Sequence, residues 1–422
     1  METVLLKKTA HQQARSILLK CMTPQGFRAS ALAKGYPQIW SRDNGIIALG
    51  ALSLEETDLT EGVRGALTTM RTHQSARGLI QLNVMPCTGE ISTENAGAVD
   101  SNLWYIISHA FFLHATGDTH FLVESWSSIT RALQWVEYQD MNEDGLIEIP
   151  EAGNWMDLFG VRYNTLYDNV LYYLALRAYA YMANALPESQ KYAFTIEPAD
   201  VALRINALFW IDRCWHAEHF SLHLEKLKSM RLEWYMLYHN MGVISSRPFY
   251  LPWVGFREYG DFFDSFGNML AILTGVANDP RRESIITYMQ QVHISEPHGT
   301  KAIYPAIRPG DPMWRDYYRS RNLNMPDQYH NGGIWPMLGG FEVALLVYCK
   351  KFDQAEKKLN SLREANRKGI SEQWEFNEWL HGATGEPMGY PLQGWSASSF
   401  LFAEKCVATK RVPFFEDILR SI

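Results

Sequence analysis

The sequence predicts an all-α protein, a closed ring of six helical hairpins with an inner and an outer layer. Three observations lead there. Apolar residues recur at helical spacing in about twelve segments. These segments follow one another in pairs, and the long connections fall on one side of the pairs. No low-complexity linker or block of like charge divides the chain, so residues 1–422 read as one domain.

Taken in order, residues 4–19 show the first helical pattern, interrupted by basic and polar positions. The stretch Tyr36-Pro37-Gln38-Ile39-Trp40-Ser41-Arg42-Asp43-Asn44 leads into an apolar segment at 46–54, and 60–72 reads as amphipathic. Residues 78–89 read as loop or extended chain. A strong helix at 100–116 stops at Gly117-Asp118, and 120–138 follows at once as its antiparallel partner. Helices are expected at 163–186, closed by Pro187, and at 198–210. The periodicity fails at about 215–260, where 219–224 and 249–254 look extended; this reads as an irregular insertion. It resumes at 263–276 and 281–292. A Pro-rich stretch at 297–326 is long enough to be a functional loop. The last helices are expected at 332–349, 353–368 and 394–408.

Composition narrows the function. The 47% hydrophobic content supports a sizeable core, and a formal net charge of -7 argues against nucleic acid or an anionic membrane as partner. The five cysteines are scattered without CxxC spacing, which reads as reduced thiols in a reducing, cytoplasmic setting. The apolar run 103–113 is too short to span a bilayer, and Lys7-Lys8 has no apolar stretch of a signal peptide behind it. Fourteen Trp suit sugar faces, and suit a helical core equally well. The expected partner is a small sugar; assembly into a homo-oligomer is left open.

The chemistry centres on two carboxylates. Asp157 follows Trp155 and Met156, and a carboxyl held against them loses hydration and keeps its proton, as a general acid must. The competing reading makes Asp157 the N-cap of the helix that follows. Glu378, in Trp374-Glu375-Phe376-Asn377-Glu378-Trp379, is the candidate ionised base that activates water, with Glu375 as a spare. An acid and a base suffice for glycoside hydrolysis, so no metal and no cofactor is expected. A carboxyl separation of about 6.5–9.5 Å would give inversion.

Around them, Trp40, Arg42 and Asp43 offer an aromatic face with fixed donors and acceptors for sugar hydroxyls, although Asp43 alone also fits a helix cap. Asp100 reads as part of an N-cap at the head of a helix whose end would face the pocket. Tyr329-His330-Asn331-Gly332-Gly333-Ile334-Trp335-Pro336 pairs two glycines, which let backbone approach a ligand, with hydrogen-bonding groups and a flat apolar face. Trp379, Gln393 and Trp395 complete the candidate wall. Asp140-Met141-Asn142-Glu143-Asp144-Gly145 with Glu151 matches a calcium-loop pattern. Pro150 stands where an exit helix would begin and no second loop pairs with it, so the segment also reads as an ordinary turn.

Several of these motifs occur together in one family. Met156-Asp157, Val99-Asp100-Ser101 with Leu103-Trp104, Phe266-Gly267-Asn268 with Leu270-Ala271-Ile272, Tyr329 to Gly333 with Trp335-Pro336, and Glu378 with Trp395-Ser396 appear in order. The chain resembles the alkaline/neutral invertases, glycoside hydrolase family 100, from about residue 40 to residue 401. It is more distantly similar to glucosylglycerate and mannosylglycerate hydrolases and to glycogen-debranching glucosidases. The resemblance implies an (α/α)6 toroid, sucrose hydrolysis with inversion at the glucosyl carbon, Asp157 as acid and Glu378 as base. Leu158-Phe159 stands where the invertases carry two arginines, and Phe376 to His381 replaces a Trp-Pro-Glu-Tyr-Tyr-Asp stretch. Those changes touch the pocket and bear on sucrose more than on reaction class.

Rival functions are open. A glucosyl- or mannosyl-glycerate hydrolase would need a free cation at the pocket mouth, for which Arg308, Arg315 and Arg319 are candidates. A debranching-type α-glucosidase shares the chemistry. A silent sugar-binding toroid, or an epimerase relying on His330 and His381, stands in another class.

Overall fold

Six helices of this chain have almost no polar face, and a helix that is apolar or small all round has to be surrounded. In the computed structural model these are α2 (Ser41–Ser53), α4 (Val99–Thr116), α6 (Leu166–Ala183), α8 (Ser265–Leu273), α10 (Pro336–Tyr348) and α12 (Gly394–Thr409). The structure describes residues 2–32, 35–92, 98–187, 195–211, 225, 228–230, 246–255 and 258–420, with side chains from residue 7. The six pack in sequence, α2 on α4, α4 on α6, α6 on α8, α8 on α10 and α10 on α12, and α12 returns to α2. The ring closes. This is the (α/α)6 toroid.

The helices between them form the outer layer: α1 (Glu2–Cys21), α3 (Thr57–Thr72), α5 (Thr119–Glu137), α7 (Pro198–Leu208), α9 (Asp279–Gln291) and α11 (Phe352–Arg367). Their burial is one-sided: in α3, for example, Leu59, Val63, Ala66, Leu67 and Met70 face inward while Asp58 and Glu61 face water. α3 covers α2 and α4, α5 covers α4 and α6, and α11 covers α10 and α12. A short helix, α13 (Phe415–Arg420), packs against α6.

Closure of the ring depends on close backbone approach. Gly50 in α2 lies against Ser398 of α12, whose hydroxyl accepts the Gly50 N–H (3.0 Å) and donates to the Ile47 carbonyl (2.7 Å). A Cβ at Gly50 would collide with the Ser398 carbonyl. Gly340 in α10 meets Ser399 of α12 in the same manner.

Inner helices begin where long loops end, and a repeated device fixes each junction. The fourth residue of α2, α4, α6 and α8 is an asparagine: Asn44, Asn102, Asn169 and Asn268. Each carboxamide accepts a backbone N–H from the preceding loop, of Phe27, Ile80, Ile147 and Tyr250 respectively (2.8–3.0 Å). Each also donates to nearby loop carbonyls. Buried loop backbone would otherwise stay unpaired, at about 1–3 kcal/mol per group. Asn331 performs the same clamp on Ile307, from the loop before α10.

Several expected boundaries move for this reason. Arg42-Asp43-Asn44 was expected ahead of a helix but lies in the first turn of α2. Gly332 and Gly333 remain in the loop; Ile334–Trp335 is a short strand and α10 starts at Pro336. Residues 163–165 and 263–264, expected to be helical, are strands. Much of the 215–260 insertion, 219–224 included, lies outside the described residues; of its remainder, Trp253–Val254 pairs with Asn164–Thr165. Cys21, Cys87, Cys349 and Cys406 are free thiols. Among the described residues no helix is long and apolar enough to cross a membrane.

Candidate active site

Among the described residues, the long connections before α2, α6, α10 and α12 lead into the N-terminal ends of inner helices and meet at one end of the ring. There they line a narrow pocket, with about 40 Å³ open to the centre of a water molecule. Its wall takes Trp40, Arg42 and Asp43 from the start of α2, and Trp155 and Asp157 from the loop before α6. Tyr329, His330 and Trp335 come from the approach to α10, and Glu378, Gln393 and Trp395 from the approach to α12. Eleven of the expected site residues therefore meet here; Tyr36 and Ala29 join them.

The Asp157 loop is held from behind. Asp168 of α6 accepts from Asn154 Nδ2 (2.7 Å) and Thr165 Oγ1 (2.6 Å), and Asn154 Oδ1 accepts the Met156 N–H (2.9 Å). α6 starts at Leu166, so Asp157 is not its cap. Its side chain is 17% exposed, and it lines the pocket. Glu378 enters from the other side, on backbone that passes through left-handed φ at Phe376 (44°). Its Oε2 accepts the Tyr390 N–H (3.1 Å), and the Tyr36 hydroxyl also bonds it. Gly389 (φ 70°) makes room: a Cβ there would lie 2.6 Å from Glu378 Oε2.

One guanidinium organises the charges. Arg42 is buried, with Asp100 at 3.5 Å, Asp157 at 3.9 Å and Asp43 at 4.0 Å. Burial raises the pKa of Asp157 to about 6 against the pull of Arg42. Burial raises that of Glu378 further, to about 8, against the Tyr390 N–H, with Asp157 and Asp43 adding repulsion. Asp43 is raised to about 7, again mainly by burial. Both carboxyls are thus held above the usual carboxylate range; Arg42 stands beside Asp157 and opposes the rise there, while among the described residues no such cation lies within salt-bridge distance of Glu378.

The walls are aromatic. His330 stacks on Trp335 (5.1 Å, 11°), with Trp155 edge-on to both. Burial pushes the His330 pKa well below its usual value, so the ring is neutral. Five buried polar atoms of the wall have no hydrogen-bond partner among the described residues: Trp40 Nε1, Arg42 Nε, His330 Nδ1, Gln393 Nε2 and Trp395 Nε1. Buried polar groups are normally paired, and five around one pocket suit a ligand rich in hydroxyls.

Other expected residues stand elsewhere. Asp100 lies beneath the pocket, holding Arg42 and accepting from the Tyr167 hydroxyl (3.3 Å); Ala98, not an Asp100 cap, precedes α4. Asn331 is the loop clamp already described. Trp379 is buried beside Tyr329 and outside the pocket wall. Glu375, the spare base, accepts the N–H groups of Ile370, Ser371 and Glu372 and does not face the pocket. His381 bonds its own turn at Ala383 and Thr384. Arg308, Arg315 and Arg319 do not line the pocket; Arg315 leans toward Glu151 (3.8 Å). Tyr36 was legible only as an aromatic near Trp40, since its link to Glu378 spans most of the chain.

The acidic loop brings Asp140, Asp144 and Glu148 within 4.8 Å of one another. Glu151, the expected closing ligand, points away to Arg162 (3.0 Å) and the Tyr317 hydroxyl (2.6 Å). Asp140 and Asp144 instead cap turn N–H groups, as Gly145 and Leu146 show.

The fold thus defines a toroid with a buried carboxylate pocket at one end. Residues 255–410 match the family described as alkaline and neutral invertase. Alkaline/neutral invertase C, mitochondrial, of Arabidopsis thaliana is 21% identical over 346 residues, covering 76% of this chain and 50% of that protein. Neutral/alkaline invertase 1, mitochondrial, of Oryza sativa subsp. japonica is 24% identical over 335 residues, covering 75% and 52%. The chain spans about half the length of these curated relatives. Among solved structures, the GH63 mannosylglycerate hydrolase of Thermus thermophilus in complex with Tris and D-glycerate superposes with TM-score 0.63 at 14% identity, covering 93% of this chain and 99% of that one. A bacterial glucoamylase complexed with acarbose gives TM-score 0.64 at 12% identity, covering 97% and 57%. The chain is similar to the alkaline/neutral invertases in sequence and shares the fold of (α/α)6 glycosidases.

Proposed function

We propose that this protein is a glycoside hydrolase that acts with inversion on a small α-glucoside, sucrose foremost. The observation that carries the reading is the presence of Asp157 and Glu378, remote in the chain, in the wall of one aromatic pocket. The resemblance to invertases supplies their sides. Asp157 gives its proton to the glycosidic oxygen as the C1–O bond breaks. Glu378 takes a proton from the water whose oxygen bonds to C1. A free sugar and an alcohol result.

The reactants decide which of the two carboxyls holds the proton. A glycosidic oxygen beside Asp157 can only accept a hydrogen bond, and a water beside Glu378 donates one. Both draw the single proton of the pair toward Asp157.

A glycerate-linked sugar is the second candidate, prompted by the Thermus mannosylglycerate hydrolase and its complex with D-glycerate. Against it, Arg42 is the cation found in the pocket wall among the described residues, and three carboxylates already surround it. The test is a screen of sucrose, trehalose, maltose, glucosylglycerate and mannosylglycerate for released reducing sugar, with the anomer followed by NMR. Sucrose cleavage with inversion is expected; bound sugar without turnover would instead mark a binding toroid.

A further inference from the structure

The hydrolase reading leaves the leaving group undefined, and two exposed residues that adjoin the carboxyls without lining the pocket itself bear on it. Leu158 directly follows Asp157, yet 43% of it is exposed. It is not loose: its carbonyl accepts from Asn324 Nδ2 (2.8 Å). The next residue, Phe159, is buried and stacked on Tyr318 (4.8 Å, 9°), whose hydroxyl accepts the Gly160 N–H (2.9 Å). A fixed backbone therefore presents an apolar side chain to solvent beside a catalytic carboxyl. Tyr390 repeats this at the other carboxyl: its N–H bonds Glu378, while 42% of the residue is exposed and its ring meets Tyr36 edge-on (4.8 Å). Nearby cations are committed elsewhere, Arg162 to Glu151 (3.0 Å) and Arg315 toward the same carboxylate. The wall itself carries Asp43, Asp157 and Glu378.

Resting on the hydrolase reading, we propose that Leu158 and Tyr390 form a leaving-group subsite that takes uncharged aglycones with an apolar face and rejects anionic ones. The apolar surface they expose is withdrawn from water only when such an aglycone lies against it. A carboxylate there would meet like charges, and Arg42, the cation of the wall among the described residues, is already ringed by Asp43, Asp100 and Asp157, while Arg308 and Arg319 do not line the pocket.

The test compares kcat/KM for α-glucosylglycerol with α-glucosylglycerate, and for butyl with methyl α-glucoside. Alcohol leaving groups of one series keep the chemistry nearly constant. The same ligands are titrated by calorimetry into the Glu378→Gln protein, so the subsite is read without turnover. At up to about fourfold per buried methylene, butyl should exceed methyl by roughly tenfold, and glucosylglycerol should exceed glucosylglycerate by at least about tenfold. Leu158→Ser should lower the butyl/methyl ratio to about threefold or less, and Leu158→Arg should move preference toward the glycerate. Equal or better use of glucosylglycerate, or a butyl/methyl ratio insensitive to Leu158→Ser, overturns the proposal. Turnover without these preferences sinks the subsite and keeps the hydrolase. Binding with these preferences but without turnover supports the subsite and sinks the hydrolase. Neither binding nor turnover sinks both.

Discussion

Asp157, Glu378 and Arg42 form one electrostatic unit, and their pKa values make a pH prediction. With Asp157 raised to about 6 and Glu378 to about 8, the pair carries a single proton between those values. That is the form with one acid and one base. The pH profile of kcat/KM should therefore be a bell: activity falls below about 6 as the bare carboxyl gains a proton, and above about 8 as the shared proton leaves. Arg42→Gln removes the charge that holds Asp157 down, so the acid limb should move to higher pH. A profile without an acid limb in this range would contradict the pairing. Asp157→Asn and Glu378→Gln should each lower kcat by roughly 10²–10⁴-fold with an unchanged circular dichroism spectrum. Unchanged turnover in either variant removes that residue from its role. The burial of both carboxyls was legible in the sequence because aromatic neighbours advertise a desolvated carboxyl. The charge that opposes burial at Asp157 was not, because it belongs to an arginine more than a hundred positions earlier.

At the level of helices, the asparagine clamps and the glycine–serine contact account for the junctions. Asn102→Ala or Asn169→Ala leaves buried loop N–H and carbonyl groups unpaired and should cost about 1–3 kcal/mol in urea unfolding. A variant as stable as wild type would show that the clamp merely fills space. Gly50→Ala drives a methyl into the Ser398 backbone and should cost about 1–3 kcal/mol by overpacking, whereas Ala at an exposed helix glycine stabilises. The inner helices were plain from their unbroken apolar faces. Their starts were misplaced by a few residues at Arg42 and Gly332, because apolar periodicity begins later or earlier than the clamp or strand that fixes the first turn. The recurrent asparagine at the fourth position of four inner helices is a signal in the sequence, but only the shared loop partners give it meaning.

Across the whole molecule, the ring places the loops before α2, α6, α10 and α12 over one end and packs its axis below them. Beneath Arg42, Asp100, Tyr167 and Trp104 are linked by hydrogen bonds and fully buried, so the pocket ends there. A blind pocket of this size admits a terminal sugar and not a chain passing through. Digestion of a maltooligosaccharide, if it occurs, should release only single sugars from one end; early appearance of mid-length fragments would refute a closed floor. The sequence by itself determined which segments must be buried on all sides, hence a two-layered helical ring, and it singled out the two carboxyls proposed here as acid and base. Hydrophobic periodicity and residue type are local properties of the chain. The tertiary structure alone decided that Asp157 and Glu378 share a pocket, that Asp100, Asn331, Trp379 and Glu375 stand outside its wall, and that Arg42 stands beside Asp157. Desolvation and Coulomb energies are set by through-space neighbours, and folding brings those neighbours from opposite ends of the chain.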